Sequence, residues 1–266
     1  CSSDLTAIEG LVVTMVPTKL NNYAYQTVPQ PGLNGRRGYQ PRGRTLGGSS
    51  SINAMLYVRG HCRDYDHWAE LGNAGWSYDE VLPYFRRSEN NETFRDDPYH
   101  GIGGPLNVAD LTSPSRLDDA FLRAAEEQGI PRTADYNGAG QFGCFNYQVT
   151  QKNGERWSAA KGYLTPNLGR PNLKVVTRAV AARVLLDGKR ATGVAFFRDN
   201  VPGEVKARRE VIVSSGAFGS PQLLMLSGIG PGSELQRFGI AVGVDLPGVG
   251  KNLQDHIDYV QTWRVP

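Results

Sequence analysis

The chain has 266 residues, 39% of them hydrophobic and 21% charged, a composition typical of a globular protein with a sizeable core. Its net charge of +3 comes from 29 basic and 26 acidic residues, which argues against a dedicated nucleic-acid-binding protein. No apolar run is as long as a transmembrane segment. The three cysteines, Cys1, Cys62 and Cys144, form no disulfide framework, so we expect a cytoplasmic protein, with peripheral association at the inner membrane left open.

Residues 1–47 are predicted to be mostly loop, because proline, glycine and asparagine are dense there. The segment begins without methionine and lacks the basic leader of a signal peptide. Its arginine-rich stretch GRRGYQPRGR (35–44) is the only basic cluster in the sequence. Two interpretations stay open for this stretch: a solvated loop, or a loop in which an arginine contacts an anionic phosphate.

The stretch LGGSSS (46–51) separates this loop from the apolar run at 52–58. Glycine lets another surface approach the backbone closely, and each serine adds a hydroxyl donor. The stretch lacks the Lys-Ser/Thr pair of a P-loop and the glycine that a nucleophile elbow has two places after its serine. By itself it therefore indicates either a ligand-binding turn or a turn whose serines satisfy its own backbone.

Two short helices are predicted next. The first covers 64–71 and is capped by Asp64. The second begins at Ser77, where Glu80 has the spacing of a capping box. Pro83 lies inside the second helix and is expected to bend or shorten it.

Further along the chain, residues 115–128 are predicted to form the clearest amphipathic helix, and its apolar face consists of Leu117, Phe121, Ala124 and Ala125. Alternation within 138–158 predicts one or two strands. From 173 to 197 the pattern is that of β-structure, with Asp187-Gly188 as a hairpin turn.

The stretch EVIVSSGAFGSPQLLMLSGIG (210–230) indicates a buried strand at 211–213 followed by a helix. Ser220 is predicted to cap that helix, Pro221 suits its first position, and Gly228 ends it. A strand, a glycine-containing turn and a helix start can bind a phosphate or the edge of a ring. A plain strand-to-helix connection explains the pattern equally well.

The four histidines, His61, His67, His100 and His256, lie in no arrangement typical of a catalytic triad. No pair of cysteines or histidines with metal-ligand spacing lies beside a second pair, so no metal site is predicted. His61 and His67 flank Cys62 and are interpreted as surface or capping residues.

Two long motifs together resemble one family. Residues 43–66, GRTLGGSSSINAMLYVRGHCRDYD, resemble the first signature of the glucose-methanol-choline (GMC) oxidoreductases, flavoenzymes that oxidise alcohols, and residues 216–230 resemble their second signature. The segments GWSYDEVLPYFRRSE, RWSAAKGYLTPN and DLPGVGKNLQDH are also similar to this family, so the resemblance covers nearly the whole chain. The similarity is greatest to the bacterial choline-dehydrogenase-like branch of alcohol dehydrogenases.

The resemblance implies an α/β fold, in which an incomplete, Rossmann-like FAD-binding domain is interleaved with an α+β segment of a substrate domain. Residues 1–113 would form the first part of the FAD-binding domain and residues 155–266 its second part. Residues 114–154 would form the substrate-domain segment.

The resemblance also implies a site for non-covalent FAD. Thr45 and Ser49 would contact the ribityl-phosphate region, and the isoalloxazine ring would lie against Asn53, Ala54, Met55 and Leu56. Val180 would contact adenine through its backbone, and glycines would allow close approach at Gly47, Gly48 and Gly216. Some relatives attach the flavin through histidine where this chain has Asn53, and asparagine cannot do so. Ordinary core positions are the alternative interpretation of Met55 and Leu56.

Two parts of the family pattern are not found here. The family opens with a strand and a G-x-G-x-x-G fingerprint, whereas residues 1–40 resemble the family segment that comes after this fingerprint. The family's catalytic histidine lies near the C-terminus, and His256 matches a position of structural character instead. We therefore expect an internal segment of a longer protein, without its N- and C-terminal portions, without a catalytic residue and inactive alone.

For the whole protein, the resemblance implies FAD-dependent oxidation of a primary alcohol to an aldehyde. A histidine base would take the hydroxyl proton while hydride passes to flavin N5, and electrons would then pass to a quinone-type or other acceptor. The alcohol and the electron acceptor are thus the expected partners. Two alternatives stay open: an inactive, flavin-free scaffold fragment, and a hydroxynitrile-lyase-type flavoprotein on the same fold.

Overall fold

The structure, a computed structural model, describes residues 16–255 and residue 259. The chain divides into two compact units, Cys1–Leu173 and Lys174–Pro266. Both units contain helices and strands, which confirms the predicted mixture of α and β structure. The three-part division at 113 and 154 stays a prediction. Within the described residues the longest α-helix has 12 residues, and none is long and apolar enough to cross a bilayer.

Among its described residues, the first unit combines three α-helices with pairs of short strands. The helices described are α1 (Cys62–Glu70), α2 (Tyr78–Ser88) and α3 (Arg116–Glu127). Strand β1 (Tyr25–Gln26) pairs antiparallel with β2 (Tyr39–Gln40), and β3 (Glu89–Asn91) pairs parallel with β4 (Leu106–Val108). Strands β5 (Gln151–Lys152) and β6 (Glu155–Arg156) form a hairpin, as the alternation within 138–158 predicts. Among the residues that the structure describes, the buried apolar side chains of this unit are Ile52, Met55, Val81, Val108, Ala109, Leu122, Tyr136 and Val149.

Helix α1 begins earlier than predicted, because His61 rather than Asp64 is its cap. His61 Nδ1 accepts a hydrogen bond from the Arg63 N–H (3.2 Å). The Asp64 carboxylate lies in the first turn and accepts from the His61 N–H (2.9 Å). The expected capping role of His61 is therefore confirmed, and that of Asp64 is wrong.

Helix α2 contains the predicted capping box, since the Glu80 carboxylate accepts a hydrogen bond from the Ser77 N–H (3.1 Å). Pro83 does not shorten the helix, which continues to Ser88. A proline in the second turn removes one intrahelical bond. The capping box and the burial of Val81 keep the remaining turns in place.

Helix α3 is capped by Ser115, but its buried face differs from the predicted one. Leu122 is buried, whereas Leu117 and Phe121 are 55% and 61% exposed. Asp118, with a half-buried side chain, precedes Leu122 by one turn and so lies on the same side. The apolar pattern located the helix but did not identify which of its sides is buried.

The second unit is built around an antiparallel three-stranded sheet of β7 (Ala179–Asp187), β8 (Arg190–Arg198) and β9 (Val201–Lys206). Helices α4 (Gly216–Leu226) and α5 (Gly232–Arg237) follow, and β10 (Ile229–Gly230) pairs parallel with β11 (Val244–Asp245). Within the described part of this unit, the buried apolar side chains are Val184, Leu223 and Leu235.

The predicted hairpin is confirmed, with Asp187 opposite Arg190 and Gly188 at φ +56° in the turn. Strand β9 was not predicted. Asp199 and Asn200, with φ of +51° and +65°, make the turn that leads into it, a conformation typical of a two-residue β-hairpin loop.

The strand predicted at 211–213 is wrong: these residues belong to no strand, and Ile212 is 78% exposed. Extended backbone forms a strand only when a neighbour supplies the hydrogen bonds. Helix α4 begins at Gly216 rather than Ser220, so Ser220 and Pro221 lie inside it. Gly228 ends the helix as predicted, with φ +81° and an N–H that donates to the Met225 carbonyl (3.0 Å).

A buried charge network surrounds Glu89, the first residue of β3, in the first unit. Glu89 is fully buried and accepts hydrogen bonds from Arg59 Nη2 (2.6 Å), His100 Nδ1 (2.9 Å) and the Gly101 N–H (3.0 Å). His100 Nε2 lies 3.1 Å from the Asp135 carboxylate. Burial by itself would lower the pKa of His100, but the bonds to Asp135 and Glu89 and their charges raise it to about 9.

We expect the free energy of unfolding to fall as the pH rises from about 6.5 to about 9, by up to about 3 kcal/mol. The network stabilises the imidazolium, so its contribution is complete below the unfolded-state pKa and is lost as the pH rises through the folded-state value. Urea unfolding across this range measures the effect. The variant His100→Gln should flatten the dependence, and a variant that keeps the wild-type slope would show that another group causes it.

Candidate cofactor site

The cofactor loop, defined as residues 45–56, turns at Gly47 and Gly48, whose φ angles are +87° and +57°. Side chains are strained in this left-handed region, which glycine adopts freely. A Cβ atom at Gly47 would lie 2.5 Å from Ser51 Oγ, whereas one at Gly48 would meet nothing within 4 Å. Gly47 is therefore required by the packing of the loop, and Gly48 borders open space.

Gly43 packs against the backbone of the loop, a role that the sequence did not indicate. A Cβ atom at Gly43 would overlap the Gly48 carbonyl. The Gly43 N–H donates to Ser49 Oγ (3.2 Å), and the Thr45 carbonyl accepts from the Gly48 N–H (3.0 Å). Thr45 is half-buried, and its carbonyl is the part of it that this turn uses.

The three serines divide their tasks. Ser51 is buried and donates to the Leu46 carbonyl (2.8 Å), and Ser50 donates to the Gly47 carbonyl (2.6 Å). Both hydroxyls therefore donate hydrogen bonds to backbone carbonyls of the turn itself. Ser49 is exposed, so its hydroxyl is the one of the three that is accessible to a ligand.

The end of the loop presents both polar and apolar groups. Asn53 and Ala54 are exposed, and Leu56 is 48% exposed. Met55 has φ +64°, and its side chain is buried, with Sδ 3.8 Å from Gln151 Nε2. A ligand over the loop would thus meet the side chains of Asn53, Ala54 and Leu56, whereas Met55 is buried.

Hydrogen bonds with residues much later in the chain hold the loop in place. The Met55 carbonyl accepts from the Thr150 N–H (2.9 Å), and the Tyr57 N–H donates to the Gln148 carbonyl (2.9 Å). The Ala159 N–H donates to Ser50 Oγ (2.9 Å). These bonds fix the loop against segments that lie about a hundred residues later.

Val180 and Gly216 belong to the second unit. Val180 is 68% exposed in β7, and Gly216, with φ +80° and open space around its Cβ position, begins α4. Both residues are accessible to a ligand. Their contribution to the same site as the cofactor loop stays a prediction.

The structure describes three of the four histidines, and contacts within the protein account for each of them. His61 caps α1, His67 lies 3.4 Å from Glu70 on the exposed side of that helix, and His100 belongs to the buried network. His256 lies outside the described residues.

The sequence did not reveal that Asp97, His100 and Asp135 come together. Ligand atoms of these three residues lie within 4.8 Å of one another. Both ring nitrogens of His100 are already within hydrogen-bond distance of carboxylates of Glu89 and Asp135, so ion pairing with these two residues accounts for the position of the imidazole.

The residues of the loop fit a flavin. The open space beside Gly48 would be partly filled by any side chain there, and the exposed Ser49, Asn53 and Leu56 offer a hydroxyl, an amide and an apolar surface. Just before the loop, exposed Arg44 places its guanidinium carbon 6.0 Å from the centre of the Tyr23 ring. Contact between this arginine-rich stretch and a phosphate stays a prediction.

Known proteins are similar to this chain in sequence. The profile of the GMC oxidoreductase family matches residues 4–258. The chain is 48% identical over 241 residues to an oxygen-dependent choline dehydrogenase from Brucella anthropi, and 47% identical over 243 residues to an alcohol dehydrogenase (acceptor) from Pseudomonas putida. The matches cover 90% and 91% of this chain but 44% of each relative, so the chain spans less than half the length of these relatives.

Among solved structures, an FAD-dependent oxidoreductase from Chaetomium thermophilum matches with a TM-score of 0.84 at 34% sequence identity. The match covers 89% of this chain and 43% of that one.

Proposed function

Because the chain belongs to the GMC oxidoreductase family, we propose that the protein oxidises a primary alcohol to an aldehyde with FAD held non-covalently at the cofactor loop. FAD is the cofactor of this family, and when bound it accepts the hydride that leaves the alcohol carbon. The observation that supports the proposal is the open space beside Gly48, together with the exposure of Ser49, Asn53 and Leu56 in the same loop.

Each exposed part of the loop has its own task in this proposal. Gly48 lets the cofactor approach the backbone, and the Ser49 hydroxyl donates a hydrogen bond to its ribityl-phosphate region. Asn53 offers a polar group and Leu56 an apolar surface to the flat ring. The buried Met55 anchors the loop, and Val180 and Gly216 are each proposed to contact the cofactor.

The proton-abstracting group is proposed to be none of the three described histidines. His100 is enclosed and bonded at both ring nitrogens, and His61 uses Nδ1 to cap a helix. His67 is exposed in the last turn of the same helix, 3.4 Å from Glu70.

Anaerobic titration with alcohols tests the reaction. Protein produced from its complete gene should show the absorption bands of oxidised flavin, and a reactive primary alcohol should bleach them. Choline and simple aliphatic and aromatic primary alcohols define the substrate class, and a tertiary alcohol is the matched control, since it carries no transferable hydrogen on its carbinol carbon. Electron transfer from the bleached protein to a quinone or to O₂ identifies the acceptor.

The other outcomes separate the alternatives. Protein without flavin bands would support the scaffold alternative, and bound flavin that cleaves a cyanohydrin but resists every alcohol would support a lyase. Acid precipitation should release all the flavin, whereas flavin that stays with the pellet would contradict non-covalent binding.

A further inference from the structure

Arg156 is a buried cation whose hydrogen bonds reach the cofactor loop. The residue is 2% exposed and lies at the end of β6. Nη1 donates to Asn53 Oδ1 (2.9 Å) and to the Ser50 carbonyl (3.2 Å). A buried guanidinium is costly unless its donors are used, so these bonds fix both loop residues relative to β6.

The bond to Asn53 sets the orientation of the Asn53 amide. Asn53 Oδ1 also accepts from the Met55 N–H (3.1 Å), so two donors point at the same oxygen. This assigns the oxygen to the interior and leaves the Nδ2 group as the donor that this exposed residue offers to a ligand. The same oxygen also stabilises the left-handed conformation of Met55, at φ +64°.

We propose that Arg156 is a positioning residue, which orients the Asn53 amide and the backbone from Ser50 to Met55 for flavin binding. The inference rests on the proposed function of the loop. Arginine suits the role better than lysine, because a planar guanidinium donates in fixed directions to two acceptors at once. Asn53 and Arg156 are 103 positions apart, so no local motif reveals the link.

A double-mutant cycle on the protein produced from its complete gene tests the proposal, with the FAD Kd measured by flavin fluorescence on the apoprotein. Arg156→Lys should raise the Kd roughly 10-fold, the size expected for a charged hydrogen bond. Asn53→Ala should have a similar effect. In the Asn53→Ala background, Arg156→Lys should change the Kd by less than about 3-fold, because the orienting contact is already gone.

Spectroscopy and a matched control separate positioning from general stability. Arg156→Lys and Asn53→Ala should alter the visible circular dichroism of the bound flavin in the same way. Arg59→Lys changes another buried arginine of this unit, which bonds to Glu89 and the Tyr99 carbonyl, and should lower the melting temperature with little change in the Kd.

Fully additive effects, or an unchanged Kd in Arg156→Lys, would overturn the positioning role while leaving the proposed function in place. If Arg156→Lys fails to fold, Asn53→Ala decides alone, and a wild-type Kd in that variant would overturn the role. Wild-type protein that binds no FAD would instead overturn the proposed function, and the inference with it.

Discussion

Replacing Gly48 with valine should abolish the retention of FAD while leaving most of the fold intact. Gly48 has φ +57°, and a Cβ atom there enters open space rather than the protein. The conformational strain costs about 1–3 kcal/mol, which a folded domain tolerates. The new side chain would occupy the volume that we assign to the flavin. The ratio of flavin to protein absorbance measures retention, and thermal unfolding measures the remaining stability.

Gly103→Val is the matched control for this variant. Gly103 lies in the same unit, is exposed, has φ +78° and likewise meets nothing within 4 Å of its Cβ position. It should therefore suffer comparable strain and keep its flavin. Stoichiometric flavin in Gly48→Val would show that the cofactor loop is placed wrongly, and loss of flavin in both variants would trace the effect to stability.

Features that depend on a few neighbouring residues could be predicted from the sequence. The capping box of Ser77 and Glu80, the turn at Gly188 and the helix end at Gly228 are all confirmed. Each is fixed by bonds that span five positions or fewer, so the local sequence contains the whole signal. The amphipathic pattern of α3 located the helix, but its buried side depends on distant neighbours, and there the prediction failed.

The candidate site shows the same limit. The resemblance to a family named the residues of the cofactor loop, but not which of their side chains face outward. Met55 points inward because its neighbours are Gln151 and Thr150, 96 and 95 positions away. The sequence next to Arg156 gives no sign of its role, because its partner Asn53 lies in another part of the chain. Long-range pairings of this kind require the fold.

Removing Glu89 should cause the largest loss of stability among the variants considered. Glu89 is fully buried and joins Arg59, 30 positions before it, to His100, 11 positions after it. Burial by itself would raise the pKa of Glu89, but hydrogen bonds from His100 and Asn91 and the charge of Arg59 lower it, so the carboxylate is charged at neutral pH. Glu89→Ala would leave two cationic groups buried without their shared partner.

We expect Glu89→Ala to lower the free energy of unfolding by about 3–5 kcal/mol, the cost of breaking a buried ion pair from one side. Urea unfolding at pH 7 measures the loss, and Asp119→Ala, which removes exposed ion pairs with Arg123 and Arg132, should cost less than about 1 kcal/mol. Glu89→Gln keeps an acceptor oxygen and should cost less than alanine. It should also reduce the pH dependence between 6.5 and 9, because an amide stabilises the imidazolium of His100 less than a carboxylate does. Equal losses in Glu89→Ala and Asp119→Ala would mean that the network contributes no more than a surface ion pair.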